Sequence, residues 1–125
     1  MGYENDFVNE TPVEFFLGDK RFVYKPMTAE EESNLLNVVL YYDEESGKNK
    51  TDYSKLNKEK LKNILEVPYT KLEIKNILGL DKDWKDISQD LRIKFLGKLK
   101  PKIYNQIINH IKNIDDGEDE ATKNS

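Results

Sequence analysis

Few side chains in this 125-residue sequence have the type and spacing that catalysis or metal binding requires. His110 is the single histidine and there is no cysteine, so a transition-metal site would have to be built from carboxylates alone. It lies between Ile107 and Ile111 at helical spacing, which predicts a position beside an apolar stripe. A hydrolytic triad would have to use this same mid-helix histidine. We therefore predict a non-enzymatic protein with no catalytic residue, no cofactor and no metal.

The acidic segment 81–86 has the composition of a calcium loop but not its spacing. An EF-hand loop counted from Asp81 needs an oxygen ligand at position 85, glycine at 86 and glutamate at 92. The sequence has lysine, aspartate and arginine at those positions. We predict instead a polar turn in which Trp84 folds back onto the helices.

Charge is distributed unevenly along the chain. Residues 1–49 carry 4 basic and 11 acidic groups, whereas residues 50–102 carry 14 basic and 8 acidic groups. A basic edge with a stacking aromatic ring is a candidate nucleic-acid surface, and its members here are Lys94, Lys98, Lys100, Lys102 and Tyr104. The net charge of −4 and the shortage of arginine argue against base readout. Nucleic-acid binding is therefore the alternative function.

The N-terminal part of the chain predicts a β-hairpin followed by a capped helix. Val13–Leu17 and 21–24 are rich in aromatic and β-branched residues, which favours strands, and Gly18 supplies a tight turn between them. Thr28 and Glu31 have the spacing of a capping box.

The first helix is predicted from Ala29 to about Tyr42. From Leu35 onward it is apolar nearly all round. Such a helix is normally buried on more than one side, so it is either central to the fold or a surface for a partner, and the central position is favoured. Residues 43–50 contain no apolar side chain and are predicted to form an exposed loop.

A second helix is predicted from the cap at Asn57. Leu56 is placed to pack on Leu61 across this helix start. The helix should continue through Leu65 and stop before Pro68, because a proline disfavours helix in the residue ahead of it.

Three more helix starts follow. Thr70 and Glu73 form a second capping box, and Gly79 predicts the end of that helix. Ser88 caps a fourth helix, and Pro101 opens a fifth that carries a wide isoleucine stripe.

These elements predict an α+β fold, mostly α, with an N-terminal β-hairpin followed by a compact bundle of four to five helices. Residues 1–10 are expected to be a flexible segment, 11–114 a single domain and 115–125 a disordered acidic tail. No apolar run is long enough to span a membrane.

The segment Phe16–Glu31, FLGDKRFVYKPMTAEE, resembles the start of tailed-phage tail assembly chaperones. Members of those families open with a short hairpin, a basic-Pro-Leu/Met-Thr step and a helix with an acidic start. A related opening occurs in baseplate-hub assembly proteins of contractile tails.

The resemblance implies a cytoplasmic factor that binds the tape-measure or another tail protein. A minor tail component that stays in the virion is the alternative within the same resemblance. A chaperone needs an apolar groove or helix face with a charged rim. Candidate partner-binding residues are the apolar end of the first helix and the isoleucine stripe: Leu35, Leu36, Val39, Tyr42, Ile107, Ile111 and Ile114. The alternative for each of these residues is a position in the protein's own core, and for each residue taken singly the core is favoured.

Overall fold

The computed structural model describes residues 11–116 and confirms a mixed α+β fold. Two predicted segments, the N-terminal residues 1–10 and the tail from 117 to 125, lie outside the described residues. The five α-helices are α1 (Ala29–Val39), α2 (Tyr53–Leu61), α3 (Lys71–Leu78), α4 (Gln89–Leu96) and α5 (Pro101–Asp115). The five strands are β1 (Val13–Leu17), β2 (Lys20–Tyr24), β3 (Leu40–Asp43), β4 (Lys48–Thr51) and β5 (Ile64–Glu66).

The predicted N-terminal hairpin is present and forms most of a three-stranded antiparallel sheet in the order β1-β2-β5. Gly18 makes the tight turn with a φ of 65°, a conformation that L side chains rarely adopt. Phe15 lies opposite Phe22, and the two rings stack with their centroids 5.2 Å apart. The hairpin therefore presents a stacked aromatic pair to the core.

The predicted caps of α1, α3 and α4 are confirmed. Thr28 with Glu31 and Thr70 with Glu73 form complete capping boxes, and the Ser88 side chain accepts from the backbone N–H of Leu91. A cap satisfies backbone donors that have no partner within the helix, and this fixes where each helix begins.

The end of α1 differs from the prediction. The helix stops at Val39, and the next residues form β3, which pairs with β4 in a separate two-stranded sheet. The segment 43–50, predicted as a loop, is instead the tip and return strand of this hairpin, and Gly47 makes its turn with a φ of 68°. The run from Val38 to Tyr42 consists of β-branched, aromatic and leucine residues, which fit a strand as well as a helix.

The second helix also differs from its prediction. It begins at Tyr53, capped by the Asp52 side chain, which accepts from the backbone N–H of Lys55, and Asn57 lies within it. The helix ends at Leu61, and Ile64–Glu66 leave it to form β5 beside β2. Pairing with an available sheet edge has overridden the helical pattern in these residues.

The core lies between the three-stranded sheet and α2 to α5. Trp84 folds back as predicted: it is buried, its Nε1–H donates to the carbonyl oxygen of Ile64 at 3.1 Å, and its ring meets Phe95 edge-on. The expectation that the first helix would be central is wrong, because α1 contributes only Val39 to the buried residues. The core cluster contains Phe15, Phe22, Tyr24, Leu61, Ile64, Ile74, Trp84, Ile87, Phe95, Leu96, Ile107 and Ile111.

Candidate protein-binding groove

A groove of about 370 Å³ opens where α1, α2 and α5 meet. Each helix brings one edge of its apolar face to this junction. The lining residues are Glu32, Leu36, Tyr53, Leu56, Asn57, Lys60, Ile108, Asn109, Ile111, Lys112 and Asp116. We call this site the α1–α2–α5 groove.

All three helices contribute apolar side chains to the groove, beside polar ones. Leu56 of α2 and Ile111 of α5 are buried, whereas Leu36 of α1 and Ile108 of α5 are half-buried and Tyr53 is exposed. Ile108 and Ile111 are three positions apart on α5, so they point to neighbouring parts of one helix face. Leu36, Ile108 and Tyr53 are therefore the apolar groove side chains that a partner can reach.

Lys60, one of the groove residues, belongs to a partly buried polar cluster. The Asp115 carboxylate accepts hydrogen bonds from the Tyr24 hydroxyl, at 2.9 and 3.0 Å to its two oxygens, and pairs with the Lys60 ammonium at 3.0 Å. The side chain of Asp115 is 1% exposed and that of Lys60 is 12% exposed. The structure places Asp115, the first residue of the predicted tail, at the end of α5, where Tyr24 and Lys60 hold its carboxylate.

Tyr24 makes the stability of the protein sensitive to alkaline pH. Burial, together with the negative charge of Asp115, raises the pKa of the Tyr24 hydroxyl above its ordinary value of 10.0. Above about pH 10 the unfolded chain releases this proton and the folded protein keeps it, so the folded state loses stability by up to about 1.4 kcal/mol per pH unit. We expect Tyr24→Phe to unfold with a shallower pH dependence between pH 10 and 11 in urea titrations. Equal slopes for the two proteins would contradict this account.

The structure brings together only part of the predicted partner-binding set. Leu36 and Ile111, from the two apolar stripes, both line the groove. Leu35 lines a different cleft beside Met27, and Tyr42 lies on the β3–β4 hairpin. Val39, Ile107 and Ile114 face the protein interior: the first two are buried, and Ile114 packs half-buried against the core. A partner cannot reach the buried side chains in this conformation, so Val39 and Ile107 are not part of the candidate surface. Ile111 is only 1% exposed and forms part of the buried floor of the groove.

The basic edge is exposed along the junction of α4 and α5. Lys94, Lys98, Lys100 and Lys102 are all solvent-exposed. Tyr104 is half-buried and lines a cleft of about 380 Å³ with Leu99 and Pro101, and burial raises the pKa of its hydroxyl.

His110 is half-buried, and its ring stacks on Phe15 with the centroids 4.9 Å apart. In the part of the chain that the structure describes, no three histidine, aspartate or glutamate side chains converge in a way that could hold a metal ion.

No protein-family model, curated protein or solved structure matches this chain. Within residues 11–116, no helix is both long enough and apolar enough to cross a membrane. The function is therefore inferred from the groove and its surroundings.

Proposed function

We propose that this chain is a non-enzymatic protein-binding factor of phage tail assembly, which holds a helix of a tape-measure or other tail protein in the α1–α2–α5 groove. The observation that carries the proposal is the groove itself, in which the half-buried side chains of Leu36 and Ile108, from two separate helices, line one depression. A groove of this kind is a common acceptor for the apolar face of an amphipathic helix. The tail context comes from the resemblance of Phe16–Glu31 to tail assembly chaperones.

The charges at the rim specify the chemistry of the client helix. Glu32 lies on the α1 side of the groove, and Lys112 lies on the α5 side with Asp116 one turn further on. A client with a basic residue facing Glu32 would pair with it, whereas an acidic residue there would meet a like charge. On the α5 side, Lys112 and Asp116 offer one charge of each sign. The expected client is therefore an amphipathic helix with a basic residue on the flank of its apolar face that faces α1.

Leu36→Glu tests the groove. The substitution places a carboxylate among apolar side chains, and burying it against an apolar client would cost enough to weaken binding by about tenfold or more. The measurement is co-elution of the chain with the tape-measure protein of the same genome after co-expression, at low and at high salt. Wild-type protein should retain the client at both salt concentrations, since an apolar contact depends little on ionic strength.

Leu72→Glu is the matched control, because Leu72 is an exposed leucine on α3, away from the groove. It should bind the client as well as wild type does. Equal binding by the two glutamate variants would overturn the groove as the site. Binding of an oligonucleotide instead of a tail protein, with affinity falling steeply with salt, would move the function to the basic edge at Lys94–Lys102.

A further inference from the structure

The β3–β4 hairpin is a sheet of two strands only. Among the described residues, no third strand pairs with either of its edges. An isolated two-stranded hairpin is marginally stable in water, and each open edge is a template for another strand. Both edges of this hairpin are therefore available for strand pairing.

The register shows which backbone groups face outward. The backbone N–H of Asp52 donates to the carbonyl oxygen of Val39 at 2.8 Å, so 39/52 is a hydrogen-bonded pair. Hydrogen-bonded and non-hydrogen-bonded pairs alternate in an antiparallel ladder. Tyr41 therefore exchanges bonds with Lys50, whereas Tyr42 and its neighbour Asn49 form a non-hydrogen-bonded pair. The N–H and carbonyl groups of Tyr42 point away from β4, and those of Asn49 point away from β3.

The two edges differ in the side chains that accompany them. β4 carries exposed Lys48 and Lys50, and lysines on an edge strand oppose pairing with another chain. β3 exposes Leu40 together with Tyr41 and Tyr42, which are 51% and 62% exposed. The single charge of β3, at Asp43, is paired with Lys50 at 2.7 Å. The β3 edge is therefore apolar and without an uncompensated charge.

We propose that β3 pairs antiparallel with β3 of a second copy of this chain, around a two-fold axis at Tyr41, to form a four-stranded sheet. In this register each Tyr42 N–H donates to the partner's Leu40 carbonyl. Leu40 lies opposite the partner's Tyr42 on one face, and the two Tyr41 side chains lie opposite each other on the second face. Each Asp43 lies opposite the partner's Val39, so no like charges meet.

The same operation on β4 would be unfavourable. An antiparallel pairing centred on Asn49 would set Lys48 opposite the partner's Lys50, and like charges directly opposite each other destabilise a ladder. The self-complementary edge is therefore β3 alone. This inference concerns a surface separate from the α1–α2–α5 groove, so Leu36→Glu should leave it unchanged.

Single-cysteine variants test the register directly, because the chain has no cysteine of its own. Residues opposite each other in a non-hydrogen-bonded pair have Cβ atoms about 4.5–5.5 Å apart, which small movements bring within reach of a disulfide. Tyr41→Cys should form a disulfide-linked dimer under mild oxidation about tenfold faster than Tyr42→Cys, whose cysteine would face the partner's Leu40. Cross-linking of Tyr41→Cys no faster than that of Tyr42→Cys would overturn the proposal.

Two proline variants test the choice of edge. Tyr42→Pro and Asn49→Pro each remove an N–H that faces outward, so each leaves the internal bonds of the hairpin in place. In sedimentation velocity over a range of concentrations, wild type and Asn49→Pro should show the same concentration-dependent dimer, and Tyr42→Pro should remain a monomer. A monomeric wild type at all concentrations, or a dimer in Tyr42→Pro, would refute β3 pairing. Circular dichroism verifies that each proline variant is folded. If one of them is unfolded, the comparison of Tyr41→Cys with Tyr42→Cys tests the pairing of β3 on its own.

Discussion

Replacing Asp115 with alanine is expected to lower the free energy of unfolding by about 1.5 to 3 kcal/mol. The substitution removes the acceptor of the Tyr24 hydroxyl and the partner of the Lys60 ammonium together. The fully buried Tyr24 would then have lost its acceptor, and Lys60, whose side chain is 12% exposed, would have lost its partner. Urea unfolding followed by circular dichroism measures the loss.

Asp116→Asn provides the matched control for this substitution. Asp116 is the neighbouring acid, is exposed, and lies at the C-terminal end of α5. A negative charge at that end opposes the helix dipole, so its removal should change the unfolding free energy by less than about 0.5 kcal/mol. A loss below about 1 kcal/mol in Asp115→Ala would show that the buried cluster contributes little net stability.

Trp84→Ala is expected to cost about 3 to 5 kcal/mol. The ring is buried against Phe95, with centroids 5.6 Å apart, and its Nε1–H donates to the carbonyl oxygen of Ile64. The Arg92 guanidinium lies 5.4 Å from the ring centroid and donates to the Trp84 carbonyl oxygen, which ties the segment before α4 to that helix. The alanine variant would leave a cavity and would remove this donor from the carbonyl oxygen of Ile64 on β5.

Two further variants make the Trp84 result interpretable. Trp84→Phe keeps an aromatic ring but loses the Nε1–H donor, so its loss of stability should fall between those of wild type and Trp84→Ala. Phe16→Ala removes an aromatic ring that is half exposed on β1 and should cost less than about 1 kcal/mol. Because Trp84 is the only tryptophan, unfolding must be followed by circular dichroism rather than by fluorescence. Equal stability of Trp84→Ala and Phe16→Ala would contradict the assigned role of Trp84.

Prediction and structure differ in segments whose residues fit a helix and a strand equally well. Val38 to Tyr42 have the composition of either a buried helix or a strand, and the sequence contains no cap that ends α1 before them. The return strand Lys48–Thr51 is polar, so its pairing with β3 is not visible as an apolar alternation. The start of α2 was placed too late, although Asp52 offers an acceptable cap three residues before Lys55.

The candidate groove was predictable only in part. The sequence places Leu36 and Ile111 in two apolar stripes, but it does not show whether either stripe is buried in the core or exposed on the surface. Tyr53, Leu56 and Ile108 were not singled out, because the position of α2 beside α1 and α5 cannot be read from periodicity. An apolar stripe shows that a helix face is covered without showing what covers it.

Local sequence signals were enough to predict the N-terminal hairpin, the starts of α1, α3, α4 and α5, and the turn that carries Trp84. Each of these depends on residues within a few positions of one another, such as Thr70 and Glu73, whose capping bonds span three residues. The packing of whole elements, by contrast, buries Ile107, joins β5 to β2 and brings three helices together around a groove. It also placed the Tyr24 hydroxyl on Asp115, 91 residues further along the chain. Such contacts depend on how whole elements pack, and no local pattern encodes the distance between them.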